Sequence, residues 1–280
     1  MGLADSSWRS QVFAKALTVI LPTKQETDFL RACLLHESAA RISWQRWLGA
    51  AGSLELALRD STPGIKSLLP LLQYNSAIED SESKVYARTA YLREKLRSET
   101  YRRLLRNVLL TLNELQIPTV ILRGAAVAHT IYDEPGLRHC HDIDLLVLAN
   151  DSDRIAQALR SSGWNVVGGW DSPLDDSFRL VHRSALPLVL HNRLFRIPYY
   201  RPPLEEILNR CSKAQLAGVE SQILSAADSL MHICGHAACT GNRESLRWAC
   251  DAWLLIDRSD ALDWKLFLDC VLRTRAVSYT

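Results

Sequence analysis

Little in this chain of 280 residues points to a specialised architecture. With only 12 glycines and 10 prolines it is neither fibrous nor low-complexity, and no internal repeat is evident. Charge interrupts every apolar stretch before the ~18 residues that a membrane-crossing helix requires. The short segment AKALTVIL near the start has no convincing cleavage site, so no secretory leader is expected. The opening MGLADS fits the loose myristoylation pattern through Gly2 and Ser6, but no polybasic patch follows to complete an anchor. Charge of one sign is also missing. Lys and Arg total 33 against 31 Asp and Glu, a net of +2, so no global field draws nucleic acid or an anionic membrane. A disulfide scaffold is not expected either. The seven cysteines are odd in number and scattered, which in a chain this long suits a reduced, cytoplasmic protein.

What is present is a globular composition, 48% hydrophobic and 23% charged, long enough to bury a sizeable core in one large domain or two small ones. The first 117 residues carry apolar positions at helical spacing, in VFAKALTVIL, FLRACLLHESAARISWQRWL and YLREKLRSETYRRLLRNVLLTLNEL. Pro22, Pro63-Gly64 and Pro70 punctuate them, and the last helix ends before Pro118. Strand signals then take over: TVILRG, HDIDLLVL, WNVVGGW, FRLVHR and LPLVLHNRLF. AAVAHTIY and the Asn/Asp/Ser-capped NDSDRIAQALRSSG read as helices between them. From Pro202 the pattern returns to helix, in LEEILNRC, AADSLMHICGHAAC, ESLRWACDAWLLIDRS and DWKLFLDCVLR. The expected fold is α+β, a small mixed β-sheet flanked by helical regions. The expected division is an N-terminal helical region at 1–117, a sheet-bearing core at 118–200 and a C-terminal helical region at 201–280.

Within the core, RHCHDIDLLVL places Asp142 and Asp144 one residue apart on a strand. Side chains alternate along a strand, so both carboxylates leave one face, with Cα atoms roughly 7 Å apart. Like charges that close repel unless a cation or a proton joins them. Hard carboxylate oxygens suit Mg²⁺, which is commonly held by one or two carboxylates plus substrate phosphates. Upstream, LRG puts Gly124 at a strand-to-helix junction, where backbone N–H groups can approach a phosphate. Arg123 or Arg138 can add charge-assisted contacts to the same anion. The bland alternatives are a solvated strand end for the acids, a salt bridge for Arg138 and a simple tight turn at Gly124.

The stretch VILRGAAVAHTIYDEPGLRHCHDIDLLV resembles the core of the uncharacterised nucleotidyltransferase-like family, within the DNA polymerase β-type superfamily. Its relatives carry Leu-Lys-Gly before the helix, a Pro-Gly-Leu-Arg turn and Asp-[Ile/Leu]-Asp-Leu-Leu-Val on the strand. The resemblance continues through SSGW and LRWACDAWLL, covering about residues 85 to 275. It implies metal-dependent transfer of a nucleoside monophosphate from an NTP to an acceptor, with pyrophosphate leaving. Asp142 and Asp144 would hold Mg²⁺ or Mn²⁺, and Arg123, Gly124 and Arg138 would bind the triphosphate. In such sites two metal ions ~3.5–4 Å apart clamp the attacking and leaving oxygens.

Two departures stand out. Relatives show a hydrophobic-Asp-x-His arrangement on the fifth strand, with the Asp as third carboxylate. Here His191 is in register but Val189 stands in the acid's place, and valine neither binds metal nor accepts a proton. Asp175 and Asp176, in the preceding loop, are possible substitutes. Arg123 replaces the lysine of the glycine motif, keeping charge but not the ammonium geometry. His191 is expected beside the acceptor or packed in the core. His232, His236 and Cys239 fall on one helical face with zinc-compatible ligand types, although core packing or support at the edge of the site explains them as well. Asp251 shares a position with the relatives and is expected to steady the site.

The leading expectation is therefore an Mg²⁺-dependent nucleotidyltransferase with catalytic residues Asp142, Asp144 and His191. Its partners would be an NTP and an unidentified acceptor (small molecule, peptide or protein), with no membrane. The competing expectation, which Val189 favours, is a degenerate member that binds nucleotide or a protein without turnover. An RNA-binding module has only the arginines of REKLRSETYRRLLR behind it, and these read more simply as the wet face of an amphipathic helix.

Overall fold

The computed structural model describes residues 20–73, 78–169, 177–195, 202–240, 246–259 and 262–273. Four helices come first, α1 (Lys24–Leu34), α2 (Glu37–Ala51), α3 (Leu54–Arg59) and α4 (Pro63–Leu72). The long α5 (Ser81–Glu114) follows and leads into β1 (Val120–Ile121), α6 (Arg123–Thr130) and β2 (Ile143–Leu146). Next come α7 (Ser152–Arg160), β3 (Trp164–Gly168), β4 (Ser177–His182), β5 (Pro187–His191) and α8 (Leu204–Arg210). The chain closes with β6 (Ser212–Leu216), β7 (Val219–Ile223), α9 (Ala226–Thr240), α10 (Arg247–Arg258) and α11 (Trp264–Arg273).

The starts of the N-terminal helices are set locally. Thr23 caps α1 with a reciprocal capping box to Glu26, Ser53 caps α3 and Asp80 caps α5. Pro63 occupies the first turn of α4, where its missing N–H costs nothing. Pro70, read from the sequence as a break, instead lies inside the last turn of α4. Within FLRACLLHESAARISWQRWL, the chain breaks at Leu35 and His36 to give the separate helices α1 and α2. Phe29, Trp44 and Trp47 then meet at ring separations of 4.8 to 6.5 Å in the core of this bundle, which also packs on α9 and α10. Most of the helix expected in VFAKALTVIL lies outside the described residues.

One mixed sheet runs in the order β3-β4-β5-β2-β1-β7-β6. The fold is α+β, and all five expected strands are present. The reading of everything after Pro202 as helix is corrected at 212–223, where a hairpin joins the sheet. Its strand β7 runs parallel to β1, pairing Val120 with Gln222 and Ile121 with Ile223. The turn uses Ala217 and Gly218, both at positive φ (51° and 74°), as a two-residue hairpin requires. The sequence signal was weak because alanine, not asparagine or aspartate, precedes the glycine, and the flanking strands are mostly polar.

The sheet buries its two faces differently. Ile143, Leu145, Leu188 and Leu190 pack against α5, α6 and α7, while Val120, Leu122 and Leu146 face α8, α9 and α11. The period of two therefore directs Asp144, like Leu146, toward the second face. No helix among the described residues is long and apolar enough to cross a membrane.

Candidate active site

Strand pairing brings the acidic strand against the glycine turn. β1 runs antiparallel to β2, and Leu122 donates its N–H to the Asp144 carbonyl at 2.9 Å. The end of β1 thus delivers Arg123 and Gly124 to the start of β2. Tyr101 of α5 pins that start by donating its hydroxyl to the Asp142 carbonyl at 2.9 Å. Asp142, Asp144, Arg123 and Gly124 all line one cavity of about 340 Å³, with Arg247 and Trp248 of α10 across from them. No side chain caps α6, so its first N–H groups stay available beside Gly124. A Cβ on Gly124 would lie 3.2 Å from Arg138 Nη1, which leaves no comfortable room for a side chain.

The two carboxylates differ. Asp144 is buried, and both its oxygens are engaged: Arg123 Nη2 donates to Oδ2 at 3.0 Å and His191 Nε2 to Oδ1 at 2.8 Å. Burial opposes the charge of Asp144, but Arg123 and His191 outweigh it and hold the carboxyl well below the usual carboxylate range. Because an ionised carboxylate only accepts, His191 carries its proton on Nε2 in this contact. His191 does not line the cavity; it holds Asp144 from the side. Asp142 is half-buried and, among the described residues, meets His141 Nε2 at 3.3 Å. Burial, reinforced by the charge of Asp144, pushes its carboxyl above the ordinary value.

Arg138 is buried and donates to Asp251 from Nε at 2.8 Å and from Nη2 at 2.6 Å, while the Tyr132 hydroxyl also donates to Asp251 at 2.8 Å. Asp251 therefore steadies Arg138, and the guanidinium reaches the cavity by its remaining edge beside Gly124 and Cys140.

Two residues at the cavity were not singled out from sequence. Arg247 Nη1 donates to the His139 carbonyl at 2.8 Å and lies 3.2 Å from His141 Nδ1. His141 thus bridges Arg247 to Asp142, accepting on Nδ1 and donating from Nε2, and burial keeps its pKa low. Only the neighbourhood of His141 to the acidic pair, and the charge of Arg247 at the first position of α10, hinted at this.

His236 also lines the cavity. Burial, with the Arg123 charge nearby, lowers its pKa to about 3, so the ring is neutral. His232 is fully buried, its ring edge-on to Phe195, and its Nδ1 has no partner among the described residues. The side chain of Cys239 lies outside the described residues, as do Asp175 and Asp176. No group of three His, Cys, Asp or Glu suited to a metal ion occurs among the described residues.

Residues 66–277 match the family described as an uncharacterised nucleotidyltransferase. That stretch covers most of the chain, and the chain belongs to this family. No curated protein is a match for it. Among solved structures, the antibiotic-resistance factor ANT(2'')-Ia is 16% identical, with a TM-score of 0.45 over 64% of this chain and 91% of its own. The lincosamide antibiotic adenylyltransferase LnuA, solved with lincomycin bound, is 14% identical, with a TM-score of 0.41 over 55% of this chain and 96% of its own. A nucleotidyltransferase-like antigen from Paracoccidioides brasiliensis is 14% identical, with a TM-score of 0.41 over 63% of this chain and 88% of its own.

The residues present fit part of the metal set that the fold family implies. Val189 pairs with Asp144 across β2 and β5, so the third carboxylate of a two-ion clamp is missing from its register position. A single hard cation does fit: the Asp142 carboxylate lines the cavity, with Oδ2 near His141 at 3.3 Å among the described residues, and the repulsion between the pair is what such an ion relieves.

Proposed function

We propose that the protein transfers a nucleoside monophosphate from an NTP to a hydroxyl acceptor, with Mg²⁺ or Mn²⁺ at Asp142 and Asp144. The observation carrying this reading is that the paired carboxylates and the uncapped start of α6 share one cavity. Phosphate oxygens approach the backbone N–H groups at Gly124, where no Cβ intervenes. Arg247 and the cavity-lining parts of Arg123 and Arg138 supply positive charge along that path, and their fixed forks orient the phosphates. A bound divalent cation would polarise the transferring phosphoryl group and offset its charge. His191 keeps Asp144 ionised and correctly turned. At about 340 Å³ the cavity is near the lower end of the ~300–1,000 Å³ typical of ligand sites, so it holds the reacting groups rather than two whole substrates. A cytoplasmic setting, where NTP and Mg²⁺ are both abundant, suits the chemistry.

A second reading is nucleotide binding without turnover, and Val189 beside Asp144 favours it, because no third carboxylate is there to take the acceptor's proton. The two readings part on one assay. The protein is incubated with each α-labelled NTP, Mg²⁺ or Mn²⁺ and a cell extract, beside the Asp142→Ala, Asp144→Ala double variant. Label transfer that the double variant abolishes supports the transferase; label transfer that survives it sinks the assignment. Metal-dependent nucleotide binding with no transfer supports the second reading.

A further inference from the structure

We infer that the Arg123 guanidinium serves as the built-in counter-charge of Asp144, so that the nucleotide-loaded site takes one divalent cation, at Asp142, and not two. The inference deepens the nucleotide-transfer reading and rests on it.

Three observations carry it. First, Asp144 is already satisfied by the chain itself, one oxygen by Arg123 at 3.0 Å and the other by His191 at 2.8 Å. Secondly, the pair is not a surface contact. Only 17% of the Arg123 side chain and 6% of the Asp144 side chain are exposed, so the two charges depend on each other rather than on water. Arg123 is held in place at some cost: its φ is +29°, in the left-handed region, and its Nε is buried with no partner among the described residues. Thirdly, the register neighbour of Asp144 on β5 is Val189, whose side chain emerges on the same face and offers no oxygen. A second ion at Asp144 would therefore find no oxygen ligand at the neighbouring position of β5 and would lie against a guanidinium of the same sign.

Asp142 is placed differently. Its carboxylate lines the cavity, and among the described residues its ion-pair partner is His141, at 3.3 Å. One ion there completes its shell from the phosphates of the nucleotide and from water, as Mg²⁺ commonly does. The geometry thus divides the work of the acidic pair, with Asp142 facing the exchangeable cation and Asp144 the fixed one.

The test counts ions rather than turnover. Mn²⁺ is titrated into the full chain with a non-hydrolysable NTP analogue, and bound ion and bound nucleotide are measured by electron paramagnetic resonance and equilibrium dialysis. The expected result is one Mn²⁺ per bound nucleotide in the unaltered protein. Val189→Asp, which restores an oxygen beside Asp144, should raise the count to two. Arg123→Gln should tighten Mn²⁺ binding at least tenfold or add a second ion. Two ions in the unaltered protein would overturn the inference while leaving the transfer reading intact. So would a Val189→Asp protein that still binds one, or an Arg123→Gln protein whose only change is weaker nucleotide binding. No nucleotide-dependent Mn²⁺ binding in the unaltered protein would overturn both.

Discussion

Val189 lies directly beside Asp144 across the parallel pair of β2 and β5, and Asp144 turns its oxygens instead to Arg123 and His191. The buried acid is thus held by residues 21 positions upstream and 47 downstream of it, while Asp142 lines the cavity, where burial and the nearby Asp144 charge raise its pKa.

Asp142→Asn should separate activity from stability. Loss of the one carboxylate free to meet a cation is expected to lower NMP transfer by about 10²–10³-fold, the usual scale for removing an electrostatic contact to a reacting group. The same change removes a repelled charge and should raise stability by about 0.5–1 kcal/mol. Label transfer and urea denaturation, run on the same preparation, measure the two effects.

Asp251→Ala should be severe. It strands the buried Arg138 guanidinium without its bidentate partner and leaves the Tyr132 hydroxyl unpaired. Breaking a buried pair from one side costs about 3–5 kcal/mol. The double change Arg138→Met, Asp251→Leu should recover much of that loss, because no lone charge remains buried. Chemical denaturation of Asp251→Ala, of the single variants Arg138→Met and Asp251→Leu, and of the double variant measures the loss and completes the cycle.

Gly124→Ala tests the close approach at the start of α6. The new Cβ would sit 3.2 Å from Arg138 Nη1, and Arg138 cannot give way easily because Asp251 grips it at 2.6 and 2.8 Å. The expected cost is about 1–3 kcal/mol of overpacking, partly offset by up to about 1 kcal/mol of helix propensity. Nucleotide affinity should fall as well, since the methyl group intrudes where phosphate oxygens approach. Calorimetric binding of an NTP analogue, beside a thermal melt, separates the two effects.

Glu94 provides a pH-dependent contribution away from the catalytic groups. Burial raises its pKa, but His139 at 2.9 Å and Arg97 at 2.9 Å prevail and leave it below the ordinary value. A depressed carboxyl pKa adds stability that is fully present above the unfolded value, about 4.3, and is lost as pH falls through the folded one. Glu94→Gln should therefore be clearly less stable than the unaltered protein at pH 6. The gap should narrow by pH 3, as paired urea titrations at the two pH values would reveal.

Much of the candidate site was legible because it lies in one continuous stretch, with Gly124, Arg138, Asp142 and Asp144 all between the end of the first strand and the second residue of the next. Less legible was what each side chain does there. Arg138 was expected at a phosphate and spends two of its nitrogens on Asp251, while Asp251 itself was expected to steady the site and does so through Arg138. Arg247 and His141 went unmarked, because one is a lone arginine at the start of a distant helix and the other is a single histidine among several.

Local periodicity alone determined that Asp142 and Asp144 leave one face of a strand, that Gly124 opens a helix, and that Val189 stands two residues before His191. Those relations depend only on chain geometry over a few residues. The tertiary structure decided the remainder: the 212–223 hairpin set beside β1, the grip of Arg123 and His191 on Asp144, and Arg138 meeting an acid 113 residues away. Such pairings follow from which faces must be buried together and which charges must then be answered in the interior. No spacing along the chain records that requirement.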